Sequence, residues 1–373
     1  MSTEVALICG IDPSKEAASG VFAYTTGLAR SLAKNGVRVR FIGIGGAGEL
    51  ESQGVEFTAV QERPTTSLDF LLSLVKAAPA INLSQDAVLH VQRADDLAPF
   101  CISHARNPKV VTLHGAHSES VRATKGDVVG QIYDQIEAFS LKRAGRTICV
   151  SKANLLHFQQ KYPELSTRMR LVYAGLDTDR FRPMRKDDAR EKLGIKRDAK
   201  ILLYAGRFVE EKRIGLILKA FKEVESGDKE ALLVLVGAGR DEEALKQIAT
   251  SLSLERIIWR PVAARTEMSL LLAAADATII ASSQEGLPTI AMESLACGTP
   301  VVSTPVGIVP EIVKDGVNGY IVSELEALPE IMEKALVTSS SLSVNCAESV
   351  RRFSWESVVK EVMAVYDEAS AEG

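Results

Sequence analysis

The stretch EGLPTIAMESLACGTPVV, Glu285 to Val302, sets two glutamates, Glu285 and Glu293, into an otherwise apolar run. It follows ADATIIAS, which reads as a buried strand, so Glu285 falls on a strand-to-helix loop. Pro288 suits the first turn of the helix, and Gly298 with Pro300 suits its end. Glu293 therefore lies inside that helix. Thr289, Glu293 and Cys297 share one helical face at spacings of four, which suits a solvent-facing pair. The alternative is a pair of carboxylates serving a site at the strand ends. The pattern alone leaves both open.

Outward from this stretch the same alternation runs through the chain. EVALIC, VRVRFIGI, AVLHVQ, KVVTLHG and RTICVS are strand candidates in the first half. KILLYAG, ALLVLVG, RIIWRP, ADATIIAS and PVVSTP follow in the second. Between them lie helix-periodic segments such as VFAYTTGLARSLAKN, GLILKAFKEV and DEEALKQIATSL. Continuous apolar strands separated by helices imply parallel sheets covered on both faces. The polar segment 177–199 reads as a linker, dividing the chain into domains 1–176 and 200–354, each a doubly wound α/β unit. FSWESVVKEVMAVYDEAS reads as a closing amphipathic helix. Ligands of such sheets bind at the carboxyl ends of the strands, so a cleft between the domains is the expected site.

Composition narrows the class. At 373 residues two domains are expected. Lys+Arg 44 against Asp+Glu 48 gives a net charge of −4, which argues against a nucleic-acid partner. No apolar run approaches the roughly 20 residues needed to span a bilayer. MSTEVALICG lacks a basic region before its apolar run, so a signal peptide is not expected. The five cysteines are scattered without C-x-x-C and read as small buried hydrophobes in a cytoplasmic protein.

Several strand ends carry candidate chemistry. Arg207, after KILLYA, and Lys212 near a helix start could hold a pyrophosphate with the help of the helix dipole. The alternative is a solvated patch neutralised by Glu210 and Glu211. Gly237-Ala238-Gly239 follows ALLVLV, where a nucleotide approaches the backbone or the chain simply turns. Ser19-Gly20 is a similar phosphate-or-turn signal. His114 ends a strand and is either a site residue or an ordinary loop histidine. Asp177-Thr178-Asp179 spells D-x-D, but Arg180 and Arg182 stand ready to pair with it. His114 and His117 have no third ligand at suitable spacing, so no bound metal is expected.

Taken in order, these segments resemble the retaining GT-B glycosyltransferases of family 4, also called glycosyl transferases group 1. SGVFAYTTGLARSLAKNGVRV is similar to that family's glycine loop and first helix, and AGLDTDRFRP to its domain-joining segment. AGRFVEEK, LVGAGRDEEAL, the Glu285–Val302 stretch with its preceding strand, and DGVNGYIV follow in family order. The resemblance covers nearly the whole chain. It implies a GT-B fold of two Rossmann-like domains, the last helix (355–373) crossing back to the first.

It also assigns roles. The glutamate pair matches the family's E-x7-E signature, with Glu285 facing the donor sugar and Glu293 the ribose hydroxyls. The amides of Leu287, Thr289 and Ile290 would meet sugar and phosphate. Arg207 and Lys212 would clamp the pyrophosphate, and His114 matches the active-site histidine. Gly20, Gly237 and Gly239 would approach the donor. The implied reaction moves a hexose from a nucleotide sugar to a hydroxyl acceptor, without metal or other cofactor. Family prevalence, rather than any residue, favours GDP-mannose over UDP-glucose or UDP-GlcNAc. The acceptor is a sugar or a lipid-linked compound, and the latter would bring the protein to the inner face of the membrane. A sugar-nucleotide epimerase fits the same fold, though less well the Arg207, Lys212, Glu285 and Glu293 set. The sequence departs from the family at Ser19, Pro288 and Arg213, where the family often has glycine in place of Ser19 and Arg213.

Overall fold

The computed structural model describes residues 4–15, 20–63 and 66–371. Two compact units emerge, one formed by Met1–Gly175 with Trp355–Gly373 and the other by Leu176–Ser354. In the first, β1 (Glu4–Ile8), β2 (Arg38–Ile44), β3 (Val55–Gln61), β4 (Val88–Val91), β5 (Lys109–Leu113), β6 (Arg146–Cys149) and β7 (Met169–Leu171) form one sheet. Their order is β3-β2-β1-β4-β5-β6-β7, and every pairing is parallel. In the second, β8 (Lys200–Ala205), β9 (Ala231–Val236), β10 (Ile257–Arg260), β11 (Ala277–Ile280), β12 (Val301–Ser303) and β13 (Gly319–Ile321) are ordered β10-β9-β8-β11-β12-β13, again all parallel.

Burial on both faces explains the continuous apolar strands. All five residues of β1 and all four of β4 and β11 are buried. Each sheet changes direction once, between β1 and β4 and between β8 and β11. At such a switch point the loops leave toward opposite faces, which opens a crevice at the carboxyl ends. All ten strand candidates from the sequence are present. The three that escaped are β3, with one fully buried position in seven, and the three-residue strands β7 and β13. Short or half-exposed edge strands leave little hydrophobic pattern.

The segment 177–199, expected as a linker, is instead part of the second unit. Its helix Lys186–Leu193 buries Arg190, whose Nη2 meets Asp276 Oδ2 at 2.8 Å while Nε donates to the Ala274 carbonyl at 3.0 Å. Asp276 also accepts from Lys186 Nζ at 2.5 Å and from the Ile201 amide at 2.7 Å. Polar composition hid a buried ion cluster, satisfied on every side, at the start of β8 and β11.

The closing helix, Trp355–Ala371, belongs to the first unit. Tyr366 Oη lies 2.7 Å from His90 Nδ1, and Glu368 pairs with Arg146 at 2.7 Å and Arg170 at 2.8 Å. The five cysteines are free thiols, four of them buried. No helix among the described residues is long and apolar enough to cross a membrane.

Candidate functional site

At the second unit's switch point, the loop after β8 carries Arg207 and Lys212 and the loop after β11 carries Glu285. Lys212 Nζ and Glu285 Oε1 form a close ion pair, both side chains largely enclosed. The same oxygen accepts from Ser282 Oγ at 2.8 Å, so Glu285 is aimed by a residue two positions past the end of β11. The loops are also tied through backbone: the Ser283 amide donates to the Glu211 carbonyl at 2.8 Å. Nearby, burial and the Glu285 charge push the Tyr204 phenol far above its usual range, and its hydroxyl donates to the Arg207 carbonyl at 2.9 Å. Arg207 itself is 64% exposed and contacts Glu211 at 3.3 Å.

Gly237 and Gly239 have a structural reason to be glycine. A Cβ on Gly237, at φ +152°, would sit 1.9 Å from the Gly206 carbonyl, and one on Gly239 would sit 2.1 Å from that of Phe208. The Phe208 amide donates to the Ala238 carbonyl at 2.9 Å, so this loop is laced to the one bearing Arg207. The tight-approach reading therefore has a definite partner, the 206–208 backbone.

Helix Thr289–Ala296 begins just after Pro288. Glu293 is 7% exposed, which overturns the solvent-facing reading of its helical position. The helix is buried around its whole circumference from Ala291 on, so a face drawn by spacing says little about solvent. The Thr289 amide turns back to the Leu287 carbonyl at 2.9 Å, which engages one of the three amides expected to meet a donor. Leu287 and Ile290 flank that turn.

Arg213 adopts φ 51°, ψ 37°, the left-handed region, between the short helix ending at Lys212 and the helix Ile214–Gly227. This turn is what the family's glycine suits at that position, and here an arginine bears it.

In the first unit His114 follows β5 directly. Its Nε2 donates to Gln92 Oε1 at 2.9 Å, and its ring meets Tyr24 edge-on at 4.8 Å. Desolvation lowers its pKa to about 4, so the ring is neutral near pH 7. Beyond Gln92, Arg93 is held by Asp95 at 3.1 Å and Asp96 at 2.7 Å. Burial raises the Asp96 carboxyl to about 6, and burial with the Arg93 charge lowers His117 to about 4. Gly20 is the first residue of helix Gly20–Lys34, and Ser19 lies outside the described residues.

Asp177 accepts from the Arg180 amide at 3.1 Å, the neighbour expected to pair with it. Among the described residues no group of three His, Cys, Asp or Glu side chains is placed to hold a metal ion. Sequence reasoning missed Ser282, Tyr204 and Gln92. Their signal was position alone, at or beside the ends of β11, β8 and β4.

Comparison with known proteins joins the two halves. The sequence model described as "Glycosyltransferase Family 4" matches residues 18–180, and that described as "Glycosyl transferases group 1" matches 185–353. The D-inositol 3-phosphate glycosyltransferase of Thermomonospora curvata is 26% identical, over 95% of this chain and 91% of its own. The protein of the same name from a Nocardioides species is 31% identical over 55% of this chain. In that alignment, as in others of its kind, the chain spans about half the relative's length (50% here). Anabaena HepE, solved in complex with UDP-glucose, superposes with a TM-score of 0.76 at 18% identity, over 98% of this chain and 99% of its own. Two doubly wound units of this order define the GT-B architecture. The chain belongs to the group 1, family 4 glycosyltransferases.

Proposed function

We propose that the protein transfers a hexose from a nucleoside diphosphate sugar to a hydroxyl acceptor, with retention of anomeric configuration. The observation that carries this reading is the Lys212–Glu285 pair, set on the loops after β8 and β11 and aimed by Ser282. A cation beside a carboxylate at a switch point suits a donor whose phosphate becomes more negative as its sugar becomes more positive. Lys212, with Arg207 beside it, neutralises the pyrophosphate. Glu285 faces the sugar and Glu293 the ribose. His114, neutral near pH 7, accepts or donates a hydrogen bond at the reacting sugar. Leaving-phosphate oxygens take the acceptor proton as it attacks on the same face. Gly20, Leu287 and Ile290 are proposed donor contacts, and no cofactor is needed.

For the donor, a UDP-hexose is the first choice, supported by the UDP-glucose complex of the HepE relative. GDP-mannose, which family prevalence favoured, is the direct comparison. For the acceptor, D-inositol 3-phosphate is the first candidate, from the names of the curated relatives. A lipid-linked acceptor, with peripheral membrane contact, is the other. The test is nucleotide release with each donor, with and without acceptor, followed by analysis of the product's anomeric configuration. Turnover is expected to stay within about twofold in excess EDTA, because cationic side chains replace the metal at the pyrophosphate. Strict metal dependence, or an inverted product, would remove this mechanism. Epimerised nucleotide sugar without transfer would replace the function.

A further inference from the structure

Gln92 leaves β4 at the switch point of the first unit, beside the end of β5 that bears His114. It is 1% exposed. Its Oε1 takes the hydrogen bond from His114 Nε2, while its own Nε2 has no hydrogen-bond partner among the described residues. An unmade buried N–H costs free energy that an apolar side chain of the same length would not. Stability therefore gives no reason for an amide here, and the contact with the imidazole does. The ring is bounded on another side by Tyr24, and the strand end beneath it is fixed by Asn154 Nδ2 donating to the Leu113 carbonyl at 2.6 Å. A carbonyl oxygen only accepts, so the proton of the neutral ring must sit on Nε2 and the lone pair on Nδ1.

We propose that Gln92 is a positioning residue for transfer: it fixes His114 as the Nε2–H tautomer and leaves Nδ1 as an acceptor for a substrate hydroxyl. The proposal rests on the role given to His114 above. It assigns the specificity to one atom, since rotation or the other tautomer would present a donor where the hydroxyl needs an acceptor.

The test reads the tautomer directly. In the full-length, uniformly 15N-labelled protein, the ring nitrogens of His114 are assigned by their loss in His114→Asn. The wild type is expected to show a protonated Nε2 and an unprotonated Nδ1 at pH 7.5. Gln92→Met, which removes the acceptor at similar size, is expected to mix the tautomers. Gln92→Glu keeps an acceptor oxygen and is expected to keep Nε2–H. In turnover, Gln92→Met should lose about tenfold in kcat with donor KM within about twofold, and Gln92→Glu should recover most of the loss. A wild-type Nδ1–H ring, or an unchanged tautomer in Gln92→Met, would overturn the proposal. A shifted tautomer with unchanged kcat overturns the role of His114 in transfer. Absence of turnover by the wild type with every donor overturns the transferase reading instead, and leaves the tautomer result standing.

Discussion

At the ends of β8 and β11 the second unit leaves a charge open to solvent, Arg207 at 64% exposed, beside the largely enclosed Lys212–Glu285 pair. At the ends of β4 and β5, on one side of its own switch point, the first unit does the opposite. Gln92, Asp95 and Asp96 are buried, Arg93 is neutralised by two carboxylates, and His114 and His117 are held uncharged. One topology thus carries two electrostatic designs. The accessible one suits a polyanion that brings its own charge, and the enclosed one suits neutral hydroxyls recognised by hydrogen bonds. The two sheets share one strand order around the switch point, so the difference lies in the loops and side chains set on it.

The sharpest way to break this comparison is at Glu285. Glu285→Gln is expected to lower kcat on the order of 10²-fold or more with a small change in donor KM, since a sugar-facing charge counts most when positive charge develops. Glu293→Gln, buried and away from the reacting bond in the proposed arrangement, should act chiefly on donor KM. Equal, negligible effects would remove both carboxylates from the site.

Next comes the phosphate side. Lys212→Ala is expected to lose about tenfold or more in nucleoside diphosphate affinity by calorimetry, as a charge-assisted hydrogen bond worth about 1.5–3 kcal/mol disappears. It also leaves Glu285 without its cation, so turnover should fall together with binding. Arg207→Ala should lose less, because its side chain is more solvated and shares Glu211. The nucleoside without phosphates should bind all three proteins alike. Unchanged diphosphate affinity in both mutants would make the cations a surface patch.

How much of this was readable beforehand depends on what kind of fact is asked for. The strands, the two doubly wound units and the strand-end positions of Arg207, Lys212, Glu285 and His114 follow from periodicity and punctuation, which are local. The Lys212–Glu285 pair joins residues 73 positions apart. The Gln92–His114 bond joins residues 22 apart, and the Arg190–Asp276 anchor joins residues 86 apart. No local pattern encodes such partnerships, and a polar residue looks the same in a linker as in a buried cluster. Burial of Glu293 escaped for a related reason: helical spacing identifies a face but not what covers it.

The first unit's enclosed design should also show in its response to acid. All five histidines of the chain lie in the first unit. Desolvation lowers His90 to about 3, and His114 and His117 to about 4, so each is neutral when folded and protonates near 6.5 when unfolded. The unfolded chain binds more protons in this window, so their stabilising effect is full above pH 6.5 and is lost as pH falls toward 4. Asp96, raised to about 6, works in the opposite sense below that value and offsets part of the loss. Between pH 7 and 5.5 the first unit should lose on the order of 2 kcal/mol more than the second. Hydrogen exchange at the two pH values, compared between β4–β5 and β8–β9, measures it. Equal losses in both units would mean that the histidines take up protons without unfolding penalty.

The smallest effect expected is at Arg213, and it separates backbone from charge. This residue sits in the left-handed region at φ 51°, where a side chain costs about 1 kcal/mol and glycine costs little. If the turn is what the position demands, Arg213→Gly should leave diphosphate affinity within about twofold and stabilise the second unit by roughly 0.5–1 kcal/mol in denaturant melts. Glycine's greater freedom in the unfolded chain sets the upper limit on that gain. Arg213→Ala keeps a Cβ and removes the charge, so it should gain nothing in stability and also leave affinity unchanged. A tenfold loss of affinity in both variants would make Arg213 a third phosphate ligand, and the left-handed turn would then be the conformation that aims it.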